Sequence, residues 1–315
     1  STIYLCIAAD SLRARQVLEQ AIDETRGQAV AIQLHPVCGP FPFAAGESLV
    51  VELIQGGRAE PQADDGDPRL FRLFSESTIV HTASTLGYLP VLLATAGEVF
   101  RGVGSSWAPG TQAFCVSGMV RRPGIYEVEL GRGTVRDLIE GIAGGARLEH
   151  MIKFVMHAGY GSSPVLVGGD LDRPLDPGLW SDPAGGPLPG VFGGGGMLVA
   201  DDSVCAVDTA RRMAQAFAVN ACGKCLPCRQ GTAWLATALA GLEAGTAQLH
   251  DLEYIDQRCS RLTPDLALCG HAPAAARGIQ ALYQAFPEEF EAHLAGGCAV
   301  VKDLSMKVPD SIHMR

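Results

Sequence analysis

The most constraining feature of this chain is a run of seven residues, Cys222-Gly-Lys-Cys225-Leu-Pro-Cys228. Three thiols separated by two residues each can turn onto one face of a tight loop and hold three corners of an iron–sulfur cube. A fold built around such a run must bring a fourth ligand to it. In a bacterial ferredoxin that cysteine follows shortly and precedes a proline. Here the fourth position after Cys228 is Thr232, so the remaining thiolate comes from far along the chain, and Cys259 and Cys269 are the candidates. A structural zinc site is the competing reading, but zinc knuckles usually come as paired CxxC motifs and only one triple is present. Lys224 and Arg229 place positive charge beside the triple, and Gly223 leaves backbone N–H groups free to approach sulfur. Both effects raise the reduction potential of a cluster.

The remaining cysteines narrow the setting. There are ten in 315 residues, and outside the run they are scattered rather than spaced as a disulfide framework. Tight clustering of this kind points to metal and to a reducing, cytoplasmic compartment. A net charge of −10 argues against nucleic acid, whose phosphates need clustered Lys and Arg, and suits protein partners. With 47% hydrophobic residues the chain can build two or three cored domains. The best apolar stretch, Tyr88 to Phe100, is too short for a membrane span and contains Gly97 and Glu98. The N-terminal residues lack a basic segment and read as a buried strand rather than a signal peptide.

Along the chain, residues 1–100 read as α/β. Strands are expected over Ile3–Ala8 and Val30–His35. A helix capped by Asp10 or Ser11 is expected to run to about Arg26 with Leu12, Val17, Leu18, Ala21 and Ile22 on its apolar side. Residues 47–55 look helical, and a polar loop covers about 57–70. After a composition shift at Gly102 to Gly110, Ala113–Val120 and Ile125–Leu130 form a hairpin around Arg121-Arg122-Pro123-Gly124. Val135–Ile142 is a short helix stopped by Gly144-Gly145. Residues 151–192 form the rest of a small β-rich domain, with a short strand at Pro164–Val167. From Asp201 the pattern turns helical. Asp201, Asp202 or Ser203 can cap a helix from Val204 to Asn220, and further helices come over about 229–244, 248–262 and 272–286, with a last one opened by Pro287.

With these pieces in hand, the chain resembles the flavoprotein (NADH-binding) subunit of respiratory complex I and its relatives in soluble hydrogenases and formate dehydrogenases. The resemblance rests first on Ala221 to Gly231, which matches the family's Ser-Cys-Gly-Lys-Cys-x-Pro-Cys-Arg-x-Gly with alanine for serine. Glu288-Glu289-Phe290-Glu291-Ala292-His293 is similar to its Asp-Glu-Phe-Glu-Ala-His. Counting back from Phe286 puts Cys269 where the family has its fourth cluster ligand, although Gly270-His271-Ala272-Pro273 departs from the usual neighbours. Gly118 to Val128 resembles the opening of the family's ubiquitin-like β-grasp (SLBB) domain. Gly193 to Met197 and Cys205-Ala-Val-Asp resemble the entry to its helical bundle.

The resemblance implies four regions. These are a degenerate flavin-domain-like α/β region at 1–103, an SLBB-like β-grasp domain at 104–200, a helical [4Fe–4S] domain at 201–297 and a tail at 298–315. It also implies one [4Fe–4S] cluster held by Cys222, Cys225, Cys228 and Cys269. The flavin half departs from the family. The Gly-Arg-Gly-Gly-x-Gly-Phe-Pro loop that holds FMN phosphate has no counterpart within these residues. Pro40 to Glu47 stands for Gly-Ala-Tyr-Ile-Cys-Gly-Glu-Glu, and His81-Thr-Ala-Ser-Thr85 stands for Asn-Asn-Val-Glu-Thr. These losses imply no FMN or NADH binding and no catalytic site of the chain's own. The implied function is an electron relay in a formate dehydrogenase- or hydrogenase-like complex. Its neighbours would be a ferredoxin-like, molybdopterin-type subunit and a thioredoxin-like [2Fe–2S] subunit. The alternatives are an NADH dehydrogenase (diaphorase) fragment whose flavin loop comes from another chain, and an assembly module that transfers nothing.

Other residues read as structural. Cys6, Cys38, Cys115, Cys205 and Cys298 are taken as isolated small hydrophobes. His271 reads as a satisfied or solvated histidine, with a supporting role beside Cys269 as the alternative, and the other histidines show no metal spacing. Gly193–Gly196 reads as a linker, Glu47 lacks a neighbouring carboxylate, and Asp64, Asp65 and Asp67 read as a solvated loop.

Overall fold

The computed structural model describes residues 2–25, 27, 30–37, 47–56, 72–106, 108–157, 165–176, 195–294, 296 and 298. The described residues fall into two compact units, one ending at His81 and one beginning at Thr82.

In the first unit, strands β1 (Thr2–Ala8) and β2 (Ala31–Val37) pair in parallel from Thr2–Ala31 to Ala8–Val37. A parallel pair needs a crossover, and helix α1 (Leu12–Glu24) supplies it. The apolar side expected for α1 is not covered. Leu18 and Ile22 are half-buried, whereas Leu12 is 66% and Val17 61% exposed. Strands lie about 4.8 Å apart, so two of them make a floor narrower than a helix about 10 Å across. Ser11 sits at the N-cap position, but its side chain makes no capping bond. Helix α2 (Glu47–Ile54) and a two-residue-stranded hairpin, β3 (Arg72–Leu73) with β4 (Glu76–Ser77), complete the described part.

The second unit opens with α3 (Ala83–Ala94) and α4 (Glu98–Gly102). These two helices belong with the sheet that comes after them, although the composition shift falls only at Gly102. The Tyr88 hydroxyl donates to the Thr111 carbonyl at 2.5 Å, and its ring meets Phe100 at 5.2 Å. Five strands then form one sheet: β5 (Thr111–Gly118), β6 (Gly124–Glu129), β7 (Ile152–His157), β8 (Val165–Leu166) and β9 (Gly196–Asp201). Their order is β6-β5-β9-β7-β8, with β5 and β9 parallel at the centre and every other pair antiparallel. The expected helix after β6 is present, but over Asp137–Ile142 it is a π-helix. Ala143 N–H reaches back to the Leu138 carbonyl at 2.8 Å, and Gly144 and Gly145 then take positive φ to leave the helix.

Strand periodicity sorts the sheet into two faces. Val155, Met197 and Val199 join Phe114, Val116, Leu138 and Ile139 in one core. Their neighbours Phe154, Met156 and Ala200 join the helices in another. Those helices are α5 (Ala206–Val219), α6 (Leu226–Glu243), α7 (Leu249–Arg261), α8 (His271–Ala285) and α9 (Pro287–Leu294). Met213, Phe217, Leu235, Leu239, Ile279, Leu282 and Phe290 are all fully buried there. The expected cap of α5 is corrected. Cys205 is the N-cap, its sulfur accepting from Asp208 N–H at 3.4 Å. Asp201 is occupied by Arg147, at 2.9 Å, and by Ser203, at 2.6 Å. Lys153 of β7 ties sheet to bundle: its Nζ donates to the Val204 carbonyl at 2.7 Å, pairs with Glu289 and lies over the Phe286 ring. Among the described residues no helix is long and apolar enough to cross a membrane.

Candidate metal centre

The thiol run occupies the turn between α5 and α6. Helix α5 ends at Val219, and Cys222 comes three residues later. Gly223 takes φ +79°, a conformation that side chains resist, and this reverses the chain at once. Cys225 is the N-cap of α6, and Pro227 falls in the first turn, where a missing N–H costs nothing. Cys228, three residues after the cap, points inward and is buried. The helix is held close to the end of α7 because Gly231 has no side chain; a Cβ there would lie 2.8 Å from Leu262 Cδ2.

Cys269 reaches this turn from the start of α8. The backbone N–H of His271 bonds to its sulfur. The His271 imidazole is buried, and its Nε2–H donates to the Phe217 carbonyl at 2.8 Å near the end of α5. His271 therefore clamps the segment before Cys222 to the segment after Cys269, and it is satisfied only in part, since its Nδ1 is buried without a hydrogen-bond partner among the described residues. Helices α6 and α8 both begin at this locus, and their N-terminal N–H groups favour negative charge.

Electrostatics place the four thiols together. The Cys228 thiol is pushed up to about 12, first by burial and then by Cys225, Cys269 and Cys222. Cys269 is also raised, by burial and by Cys222 and Cys225, against the lowering effect of the His271 N–H. Cys259 stands apart. It is buried on α7 and pushed up to about 12 by burial and by Asp256, with none of the four contributing. Cys228 and Cys269, which resist ionising in this setting, would be held as thiolates by a cationic centre.

Their spacing tests which centre fits. Around one tetrahedral zinc, with sulfurs at about 2.3 Å, all four would sit roughly 4 Å apart or less. Among the described residues, no three of these cysteines bring their sulfurs within 4.8 Å of one another. A cubane places each thiolate on its own iron, so the wider spacing and the all-thiol donor set fit it.

The structure also fixes the surroundings of the other expected residues. Pro40–Gly46, Cys38, Gly193, Gly194, the loop at 57–70 and the tail from 299 on lie outside the described residues. Glu47 opens α2. His81 and Thr82 precede α3, and the Thr82 hydroxyl caps it by accepting from Thr85 N–H at 3.3 Å. Gly195 is more than a linker residue, since a Cβ there would lie 2.4 Å from the Ala113 carbonyl where β9 enters beside β5. Cys115 and Cys298 are exposed and Cys6 is half-buried, so among the described members of the scattered set only Cys205 is the buried hydrophobe expected. Cys205 and Cys298 are also not isolated: their sulfurs gather with His293. Burial, with Cys298 beside it, pushes the Cys205 thiol up to about 11. This second grouping was hidden in the sequence by the separation of Cys205 from His293. The one local sign is a cysteine five positions after a histidine.

Residues 208–293 match the NADH-ubiquinone oxidoreductase-F iron-sulfur binding region, a span containing the whole thiol quartet. The chain is 32% identical over 304 residues to the NADH-quinone oxidoreductase F 2 subunit of Rhizobium meliloti (strain 1021), covering 93% of this chain and 70% of that one. It is 31% identical over 300 residues to the NADH-quinone oxidoreductase F subunit of Escherichia coli (strain K12), covering 92% and 66%. Against the corresponding Streptomyces coelicolor protein it is 30% identical and spans 59% of the relative's length. Its fold is similar to a chain of an NAD+-reducing [NiFe]-hydrogenase in the air-oxidized state, with a TM-score of 0.77 at 24% identity, over 93% of this chain and 49% of that one.

Proposed function

Because the chain belongs to the family of NADH-quinone oxidoreductase F subunits, we propose that it relays electrons within a multi-subunit oxidoreductase through one [4Fe–4S] cluster. In this reading the cluster is held by Cys222, Cys225, Cys228 and Cys269, with Cys259 outside the ligand set. The observation that carries it is the convergence of those four thiols, and not Cys259, on one turn. The bound cluster supplies one-electron chemistry at a potential tuned by charge, hydrogen bonding and solvent. The chain's own residues set those terms. Cys228 keeps water from one corner, the His271 N–H and the two helix N-termini favour the reduced, more negative state, and Lys224 and Arg229 add positive charge.

The sheet order β6-β5-β9-β7-β8, with a helix against one face, supports reading the middle of the chain as the β-grasp (SLBB) module and the helices after Asp201 as the cluster-bearing domain. In this reading the chain binds neither FMN nor NADH and exchanges electrons only with protein-bound centres. Two observations support that. Where the family places an asparagine pair and a glutamate, this chain has His81, Thr82 and Ser84, and Thr82 is spent on capping α3. Pro40 stands where glycine would let backbone approach a flavin. The partners proposed are a ferredoxin-like, molybdopterin-type subunit and a thioredoxin-like [2Fe–2S] subunit of a formate dehydrogenase- or hydrogenase-like assembly. The test is cofactor analysis of anaerobically purified chain and of its native complex. About four iron and four sulfide per chain, with no flavin, is expected. Stoichiometric FMN on this chain would favour the diaphorase alternative, and colourless protein with zinc alone would sink the relay.

A further inference from the structure

Helices α5 and α6 are joined by the thiol turn and run antiparallel, so the pair has a second end, about 27 Å away by the length of the 18-residue α6. Cys205 caps α5 at that end, and Glu243 is the last residue of α6. Helix α9 brings His293 between them, and the chain leaving α9 brings Cys298.

The sulfurs of Cys205 and Cys298 and a ring nitrogen of His293 all lie within 4.8 Å of one another. Cys205 Sγ is 3.5 Å from His293 Nε2, and Glu243 Oε2 is 3.2 Å from the same nitrogen. Each separation taken alone matches a tetrahedral edge, while the Glu243 carboxylate stands outside the group formed by the two sulfurs and His293. With metal–sulfur bonds near 2.3 Å and metal–nitrogen or metal–oxygen bonds near 2.0–2.2 Å, S···N comes to about 3.6 Å and N···O to about 3.4 Å.

The histidine is also oriented as a ligand. Its Nδ1 faces the Glu289 carbonyl at 2.6 Å, and since a carbonyl only accepts, Nδ1 carries a proton. In the neutral ring Nε2 is then a lone pair, aimed at a thiol and a carboxylate. The Cys205 thiol can donate to that lone pair as it stands, and a cation that displaced the thiol protons would gather both sulfurs and the imidazole around one point. Fixing the far ring nitrogen on a backbone carbonyl is how metal-binding histidines are commonly held.

We propose that Cys205, His293 and Cys298 hold a structural zinc, separate from the cluster, with Glu243 turning from His293 to complete the ligand set, and that it pins the start of α5, the end of α6 and the segment leaving α9. Two thiolates, an imidazole and a carboxylate in tetrahedral array suit zinc, which asks for no particular geometry and carries no electrons of its own.

The test uses the full chain purified anaerobically with its cluster. Elemental analysis should find about one zinc per chain beside the iron. Cys298→Ser alters an exposed residue outside the helices and leaves the buried core side chains in place; it should lose the zinc, as should His293→Gln, while iron content and the reduced-cluster EPR signal stay unchanged. Cys222→Ser should do the reverse, disturbing iron and keeping zinc. Cobalt(II) should bind with a thiolate-to-cobalt charge-transfer band that Cys205→Ser diminishes. Glu243→Gln should weaken cobalt uptake; unchanged uptake would overturn Glu243 as the fourth ligand. Protein with neither zinc nor cobalt uptake, a Cys205–Cys298 disulfide in its place, or zinc retained in both Cys298→Ser and His293→Gln would overturn the site.

Discussion

The unit ending at His81 and the helical bundle lie within one continuous family match, yet they use their residues differently. In the bundle, packing and the metal centre make demands on the same residues. Gly223 must reverse the chain, Pro227 opens a helix, Gly231 admits Leu262, and His271 clamps two ligand segments. A change at any of them disturbs fold and centre together. In the first unit the polar residues with described roles serve local structure, and α1 leaves Leu12 and Val17 in solvent. The difference teaches that a site persists most legibly where it is also the keystone of a core.

The largest test of that contrast is at the ligands. Cys228→Ser should lose or convert the cluster outright, because a buried hydroxyl replaces the thiolate of the most enclosed corner. Cys259→Ser, equally buried, should keep full iron and an unaltered EPR signal. If Cys259→Ser loses the iron and Cys269→Ser retains it, the quartet has been drawn with the wrong cysteine.

Next in size is the core itself. Leu239 of α6 is fully buried, and Leu239→Ala should cost about 2–5 kcal/mol in urea unfolding, from lost burial plus the cavity left behind. A cost under about 1 kcal/mol would mean that the bundle relaxes around the gap and is not the tight partner in the comparison.

A pH-dependent contribution ranks third. His157, the last residue of β7, has no exposed surface, and burial pushes its imidazole down to about 4. The ordinary value is about 6.5. The unfolded chain therefore takes up the proton first. Stability is full above about pH 6.5 and is lost as pH falls toward 4, by at most about 3 kcal/mol. His271 is shifted in the same direction by burial, so the two act together. Urea midpoints at pH 7 and pH 5 should fall apart less in His157→Gln than in the parent chain. Equal slopes in both proteins would show that His157 is not the group responsible.

The range of the forces decides how much of this was legible in the sequence. Helices α6 to α9, the hairpin and the thiol run all rest on local periodicity and turn chemistry, and residue pattern alone places them to within a few residues. The misread features depend on long-range competition. Asp201 looks like a helix cap until Arg147, 54 residues earlier, claims it. The π-helical form of Asp137–Ile142 comes with the bond from Ala143 N–H back to Leu138, just before Gly144 and Gly145 take positive φ, and residue spacing does not reveal it. Cys205 and Cys298 look isolated because His293 comes to Cys205 only when α9 docks, 88 residues away.

The smallest expected effect bears most directly on the contrast between the units. Leu12→Gln and Val17→Gln place polar groups on α1 positions that sequence periodicity assigns to its apolar side. Glutamine is as good a helix former as leucine and better than valine, so helix propensity costs nothing here. The remaining contribution is lost burial, and it scales with area already removed from water. With Leu12 66% and Val17 61% exposed, little area is at stake, and each change should stay within about 0.5 kcal/mol. Ile22 provides the internal control, since it is half-buried on the same helix and Ile22→Ala should cost more. Hydrogen exchange at the β1 amides reads the outcome locally, without unfolding the bundle. Faster exchange in Leu12→Gln, equivalent to more than about 1 kcal/mol, would show that this face of α1 is covered in solution. The first unit would then be cored like the bundle, and the contrast between them would fail.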